Sequence, residues 1–300
     1  MPAMIRCVDT FSEIPALFPR GVFELAAWRA YAQAHFGSDA SLFEDDMNDC
    51  LKTGSYTYER DFLPVLQAVW NHPRLEEMHQ SFLAAAKGLS ERLVQRFGGG
   101  LDVDLFLYVG LCNGAGWATK LNGRDAVLLG MEKILELGWV SLADMQGLIY
   151  HELGHIYHSQ HGCFRQKVGE GPQQFVWQLF AEGIAMYFQQ ELVGDEEFYQ
   201  QDKNGWRAWC STHFAQIAED FDQDLPAMTR ANQRFFGDWV NYQGRGDVGY
   251  YLGTRFLRSL LEGRGFEEVL QFSVKTVWEE YRGFVRKTLG RESVLPSFPC

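Results

Sequence analysis

Residues 141–161, SLADMQGLIYHELGHIYHSQH, decide how the rest of the chain is read. Ser141 with Asp144 three positions on makes a capping-box-like helix start, and Leu142, Met145, Leu148, Ile149, Leu153 and Ile156 recur at three- and four-residue steps as a buried flank. Within this helix His151, Glu152 and His155 form the pattern HExxH. Residues four apart on a helix lie one above the other, so the two imidazoles converge on one point, and Glu152, a hundred degrees round, reaches a water held there. A pair of satisfied core histidines would leave an ionisable Glu in so apolar a helix without a reason.

A hydrolytic zinc ion takes three protein ligands and keeps one position open for water, so a third ligand is required. Glu182 lies in FVWQLFAEGIAMYF (175–188), a stretch that reads as a buried helix starting at Pro172, where an unpartnered carboxylate is costly and a metal removes the cost. Gly183 beside it lets another helix or the site approach closely. The competitor is His161, which completes HExxHxxHxxH. Sites built on HExxHxxGxxH have a glycine where this chain has His158, a residue reluctant to take the left-handed turn. The helix is therefore expected to run through His158 and end near His161, and Glu182 is preferred. His158 and His161 are expected to support the ligands or sit at the solvent edge.

Upstream, Leu105–Val109 reads as a strand. A second extended stretch, Gly116 to Leu121, passes through Asn122-Gly123 into Asp125–Leu129, a type I′ hairpin signal. Residues 20–97 read as helices: weak periodicity marks 21–36 and 59–71, and a stronger pattern from Leu75 to Phe97 predicts one long helix stopped by Gly98-Gly99-Gly100. The chain turns helical again from Ser141 onward. The expected fold is α+β and predominantly helical. It comprises a helical N-terminal lobe over 1–100, a small sheet with the HExxH helix over 101–163, and a helical lobe carrying the third ligand over 164–300, the last two acting as one catalytic domain.

HELGH at 151–155 followed by AEGIAMYF around Glu182 resembles the gluzincin peptidases, and within them the little-characterised bacterial families of predicted zinc-dependent peptidases. In those families a strand pair precedes HExxH, an E-G-x-A segment follows and a G-Y-x-x-G segment lies further on, here Gly249-Tyr250-Tyr-Leu-Gly253. The resemblance covers roughly residues 101–260. It implies a zincin-like core, one zinc ion held by His151, His155 and Glu182, and Glu152 as general base. Such a base takes a proton from zinc-activated water and hands it to the leaving nitrogen of a peptide. Tyr250 is the choice for a second donor to the oxyanion, with Tyr251 and His213 behind it; a packed aromatic is the competing reading of Tyr250. In gluzincins an edge strand pairs with the extended substrate, and Asn113–Ala118 is placed to do this, with Gly116 admitting another backbone and Trp117 as a pocket wall or a core residue. Two features depart from the pattern. Met186 stands where thermolysin-like enzymes carry an Asp that orients the first His, and no G-x-M-E-N amine anchor occurs, which argues against the related aminopeptidases.

Composition supports the same direction. With 39 acids against 27 bases the formal charge is −12, which disfavours nucleic acid and anionic membranes as partners and leaves a soluble acidic enzyme or binding protein; the peptide or protein substrate is what the resemblance implies. The start shows no export signal, and the longest uncharged run, Leu105 to Thr119, is too short to span a bilayer, so a cytoplasmic protein is expected. Cysteines at 7, 50, 112, 163, 210 and 300 show neither disulfide nor zinc spacing and are expected to be small buried hydrophobes. Nine acids and two bases fall between Glu191 and Asp224, expected as a solvated face rather than a selector of cationic substrates. Two other functions remain open: a zinc hydrolase of a non-peptide amide or ester, and a catalytically silent metal-binding interaction protein.

Overall fold

The computed structural model describes residues 4–237 and 240–298. They are mostly helical and carry one four-stranded sheet, an α+β arrangement. The chain divides into two compact units, Met1–Ile156 and Tyr157–Cys300.

In the first unit, β1 (Ile5–Asp9) is followed by helices α1 (Ile14–Leu17), α2 (Leu25–Phe36), α3 (Ser41–Lys52), α4 (Leu63–Ala68), α5 (Leu75–Ala86) and α6 (Leu89–Phe97). Then come β2 (Val103–Tyr108), β3 (Gly116–Leu121), β4 (Arg124–Gly130) and α7 (Met131–Leu137), and α8 (Leu142–His161) begins. The strand order is β1-β2-β4-β3, with β1, β2 and β4 parallel and β3 antiparallel at one edge. The two central strands are apolar runs because both their faces are covered. On one face Phe36 and Phe43, from α2 and α3, pack against Tyr108 of β2. Asn122 and Gly123 both have positive φ (49° and 80°), the two left-handed residues that a type I′ turn requires.

Two expectations need correction. β1 lies inside the stretch read as purely helical: its IRCVD carries no apolar run, and it is a strand because Ile5–Asp9 pair with Val103–Leu107. Leu75–Phe97 is two helices, because Gly88 adopts a left-handed conformation (φ 66°) that ends one and starts the next, while buried Phe82, Leu89 and Leu93 keep the spacing of a single helix. Residues Tyr58–Phe62 form a π-helical turn running into α4.

The second unit contains the remainder of α8, then α9 (Pro172–Val193), α10 (Trp206–Thr212), α11 (Phe214–Asp224), α12 (Val248–Leu260), α13 (Phe266–Leu270) and α14 (Val274–Leu289). α9 is apolar nearly all round and is buried along most of its length. Of the cysteines only Cys210 is buried; Cys7 is exposed, Cys50, Cys112 and Cys163 are half-buried, and Cys300 lies outside the described residues. The expectation of uniformly buried thiols therefore fails, and all five described thiols are free. No helix among the described residues is long and apolar enough to cross a membrane.

Candidate metal centre

The helix that carries HExxH starts as its first residues dictate. Ser141 Oγ donates to Asp144 Oδ2 (2.6 Å), and the backbone N–H of Asp144 donates to Ser141 Oγ (3.2 Å), a reciprocal cap that satisfies donors otherwise orphaned at the helix end. Met145, Leu148, Ile149, Leu153 and Ile156 are buried as the periodicity requires, whereas Leu142 is 43% exposed in the first turn. The helix continues through His158 and ends at His161, where the N–H of Gly162 donates to the His158 carbonyl.

His151 and His155 stand one turn apart with ring centroids 4.9 Å from each other and planes nearly perpendicular. His151 and Glu152 are buried and His155 half-buried. The third member, Glu182, sits in the middle of α9. Its neighbour Gly183 is the point where α9 crosses α12: a Cβ at Gly183 would lie 2.4 Å from the Gly253 carbonyl oxygen. Gly253 comes one turn after Tyr250, so two glycines of the quoted motifs face each other across a backbone-to-backbone contact. One ligand atom from each of His151, His155 and Glu182 lies within 4.8 Å of the other two. Among the described residues this is the group of three or more metal-ligating side chains brought together, and His161 does not belong to it. Two imidazole nitrogens and a carboxylate oxygen are a donor set that zinc accepts.

His161 stacks on Tyr157 at 4.3 Å. His158, expected at the solvent edge or in support of the ligands, is fully buried with Phe164, Trp177 and Phe180 around its ring at 5.2–5.9 Å. Tyr250 lies in the first turn of α12 with its ring edge-on to Phe236. Its two substitutes are packed elsewhere: Tyr251 among Tyr199, Trp206 and Phe214, and His213 stacked on Trp209 at 4.1 Å.

The edge strand separates the two substrate candidates. A Cβ at Gly116 would lie 2.6 Å from Leu148 Cδ1 and 3.3 Å from Glu152 Cγ, so the strand passes directly over the proposed base because this residue has no side chain. Side chains alternate along a strand, and Trp117 points to the opposite face. There its ring meets Phe43 edge-on at 5.8 Å and its Nε1–H donates to the Tyr108 hydroxyl at 3.2 Å. The structure brings Gly116 to Glu152 and packs Trp117, half-buried, against Phe43 and Tyr108 on the opposite face.

Backbone parity adds a feature that sequence reading did not reach. Leu121 and Arg124 close the two-residue hairpin, and Gly130 N–H donates to the Ala115 carbonyl at 3.1 Å, so residues 115, 117, 119 and 121 are those bonded to β4. Gly116, Ala118 and Lys120 consequently direct their N–H and C=O groups off the free edge of the sheet.

One buried acid was missed altogether. Glu132, in the first turn of α7, is fully buried, and its two oxygens accept the backbone N–H groups of Gly110 (2.8 Å) and Cys112 (3.1 Å). Burial pushes its carboxyl up to about 7, against the opposing pull of those hydrogen bonds. The available signal was an acid directly after the apolar run Ala126–Met131. The acid-rich stretch after α9 is largely matched by arginines: Arg207 pairs with Glu197 and Asp202, Arg258 with Glu196, Arg234 with Asp220 and Asp224, and Arg291 with Asp222.

Compared with protein-family models, curated proteins and solved structures, the chain matches none.

Proposed function

We propose that this chain is a zinc-dependent peptidase, with His151, His155 and Glu182 as ligands and Glu152 as general base. The convergence of those three side chains, with a base from the same helix, is the observation that carries the reading. Zinc held there would polarise a carbonyl oxygen and lower the pKa of a bound water toward ~7. The chain's own groups account for the rest. Glu152, whose Cγ lies beneath Gly116, would act as the base, taking a proton from the attacking water and returning it to the departing nitrogen. The outward N–H and C=O groups of Gly116 and Ala118 offer an extended peptide a ladder of backbone hydrogen bonds, and this favours a peptide over a compact amide or ester. Tyr250 is kept as the proposed oxyanion donor. The proposed setting is cytoplasmic, where the five described free thiols would stay reduced.

The test is a cleavage screen of zinc-loaded protein against a diverse peptide library, with Glu152→Gln beside it. Cleavage by the wild type and none by Glu152→Gln, which should retain its metal, supports the reading. Equal turnover by the variant removes Glu152 from its role, and zinc binding without cleavage of any peptide returns the chain to the other hydrolase or the silent binding reading.

A further inference from the structure

Glu132 does not belong to the candidate metal group, yet it is among the most completely buried acids in the first unit, and besides its own backbone N–H its carboxyl takes its backbone hydrogen bonds from one loop. Residues 109–115 join the central strand β2 to the edge strand β3. Gly110 N–H donates to Glu132 Oε2 and Cys112 N–H to Oε1, so both carboxyl oxygens are spent on that loop. The space for the carboxyl group exists because Gly110 and Gly130 lack side chains: a Cβ would lie 2.6 Å from Oε1 at the first and 3.2 Å at the second. Cys112 is held at φ 63°, a left-handed conformation that a non-glycine residue keeps only under restraint. Asn113 completes the restraint by accepting from Leu111 N–H and donating to the Phe43 carbonyl and Asp46. Three residues later the chain is Gly116, over Glu152.

We propose that Glu132 is a positioning residue: a buried carboxyl latch that fixes the β2–β3 loop and thereby sets the height of the edge strand over Glu152. The latch itself is independent of zinc, and only its consequence for substrate rests on the peptidase reading. Opening the loop releases Glu132 to water, where its carboxyl returns to the ordinary range near 4.5, whereas in the closed loop burial holds it at about 7. The closed form therefore retains a proton that the open form loses. Opening becomes easier as pH rises from about 4.5 to 7 and levels off above. The groups facing Glu132 do not share this titration. Burial drives Tyr31 of α2, Tyr108 of β2 and Cys112 of the loop upward, so they stay protonated, and Lys133 on the same helix is paired with Glu136.

The experiment is amide hydrogen exchange of the full chain between pH 5 and 8, corrected for intrinsic rates, for the wild type and Glu132→Gln. In the wild type, opening of the segment 110–121 is expected to rise about thirtyfold from pH 5 to pH 7 and then to flatten, with β2 protected throughout. Glu132→Gln keeps the size but cannot ionise, and its segment should show no such rise. A flat wild-type profile overturns the proposal without recourse to any variant, and an equal rise in Glu132→Gln overturns it as well. A chain that binds no zinc would remove the peptidase reading and leave this result intact; a flat exchange profile would remove the latch and leave the zinc site intact.

Discussion

Replacing Gly183 by Ala tests whether the crossing of α9 and α12 holds Glu182 in place. The added Cβ would lie 2.4 Å from the Gly253 carbonyl oxygen, 2.9 Å from its carbonyl carbon and 3.2 Å from Leu257 Cβ. Ordinary contact begins near 3.4 Å, so the two helices must separate by about 1 Å, and what obstructs is backbone rather than the tip of a flexible side chain. Overpacking of this kind costs about 1–3 kcal/mol, against a gain of about 1 kcal/mol from replacing Gly in a helix interior. A net loss of up to about 2 kcal/mol is expected in urea unfolding, against a net gain in the control. Gly283→Ala is the control, since Gly283 lies inside α14 with no atom within 4 Å of an added Cβ, and only the propensity gain of about 1 kcal/mol applies. The shift also displaces Glu182, the proposed third ligand, so if that proposal holds zinc affinity should fall in Gly183→Ala and stay unchanged in Gly283→Ala. If both variants are stabilised alike, the close crossing is not what the structure requires at Gly183.

Glu132 makes global stability pH-dependent with a definite sign. A carboxyl raised from 4.5 to about 7 in the folded chain favours folding below pH 4.5 and loses that advantage as pH climbs to about 7. The loss amounts to about 3 kcal/mol, so the urea midpoint of Glu132→Gln should gain on that of the wild type across the same window. Gly116→Val should keep zinc and fold, because the obstructing atom is the end of the Leu148 side chain, but it should impair peptide hydrolysis at least tenfold through crowding of Glu152. Trp117→Phe removes the bond to the Tyr108 hydroxyl and should cost about 1 kcal/mol in stability while leaving hydrolysis unchanged; a selective loss of activity would restore Trp117 to the site.

The side chains that the structure brings together as a candidate metal group were legible where a local spacing rule applies. His151 and His155 follow from the turn of a helix, and Glu182 from the cost of a carboxylate in an apolar helix. The hairpin at Asn122-Gly123 follows from left-handed dihedrals. What escaped is set by contacts distant in sequence: β1 is a strand only through residues 103–107, and Gly88 breaks a helix without disturbing its apolar phase. Trp117 and Gly116 were grouped by adjacency, although the period of two along a strand sends them to opposite faces. Glu132 follows an apolar run as Glu182 does, but Lys133 and Glu136 are charged neighbours, and its burial is set by the loop residues Gly110 and Cys112, which lie 22 and 20 positions upstream.

Zinc titration of metal-stripped protein by calorimetry, for the wild type, Glu182→Ala and His161→Ala, tests the ligand set most directly. One ion per chain is expected for the wild type, an affinity loss on the order of a hundredfold or more for Glu182→Ala, and little change for His161→Ala. No binding by the wild type, or a loss confined to His161→Ala, would contradict the site formed by His151, His155 and Glu182.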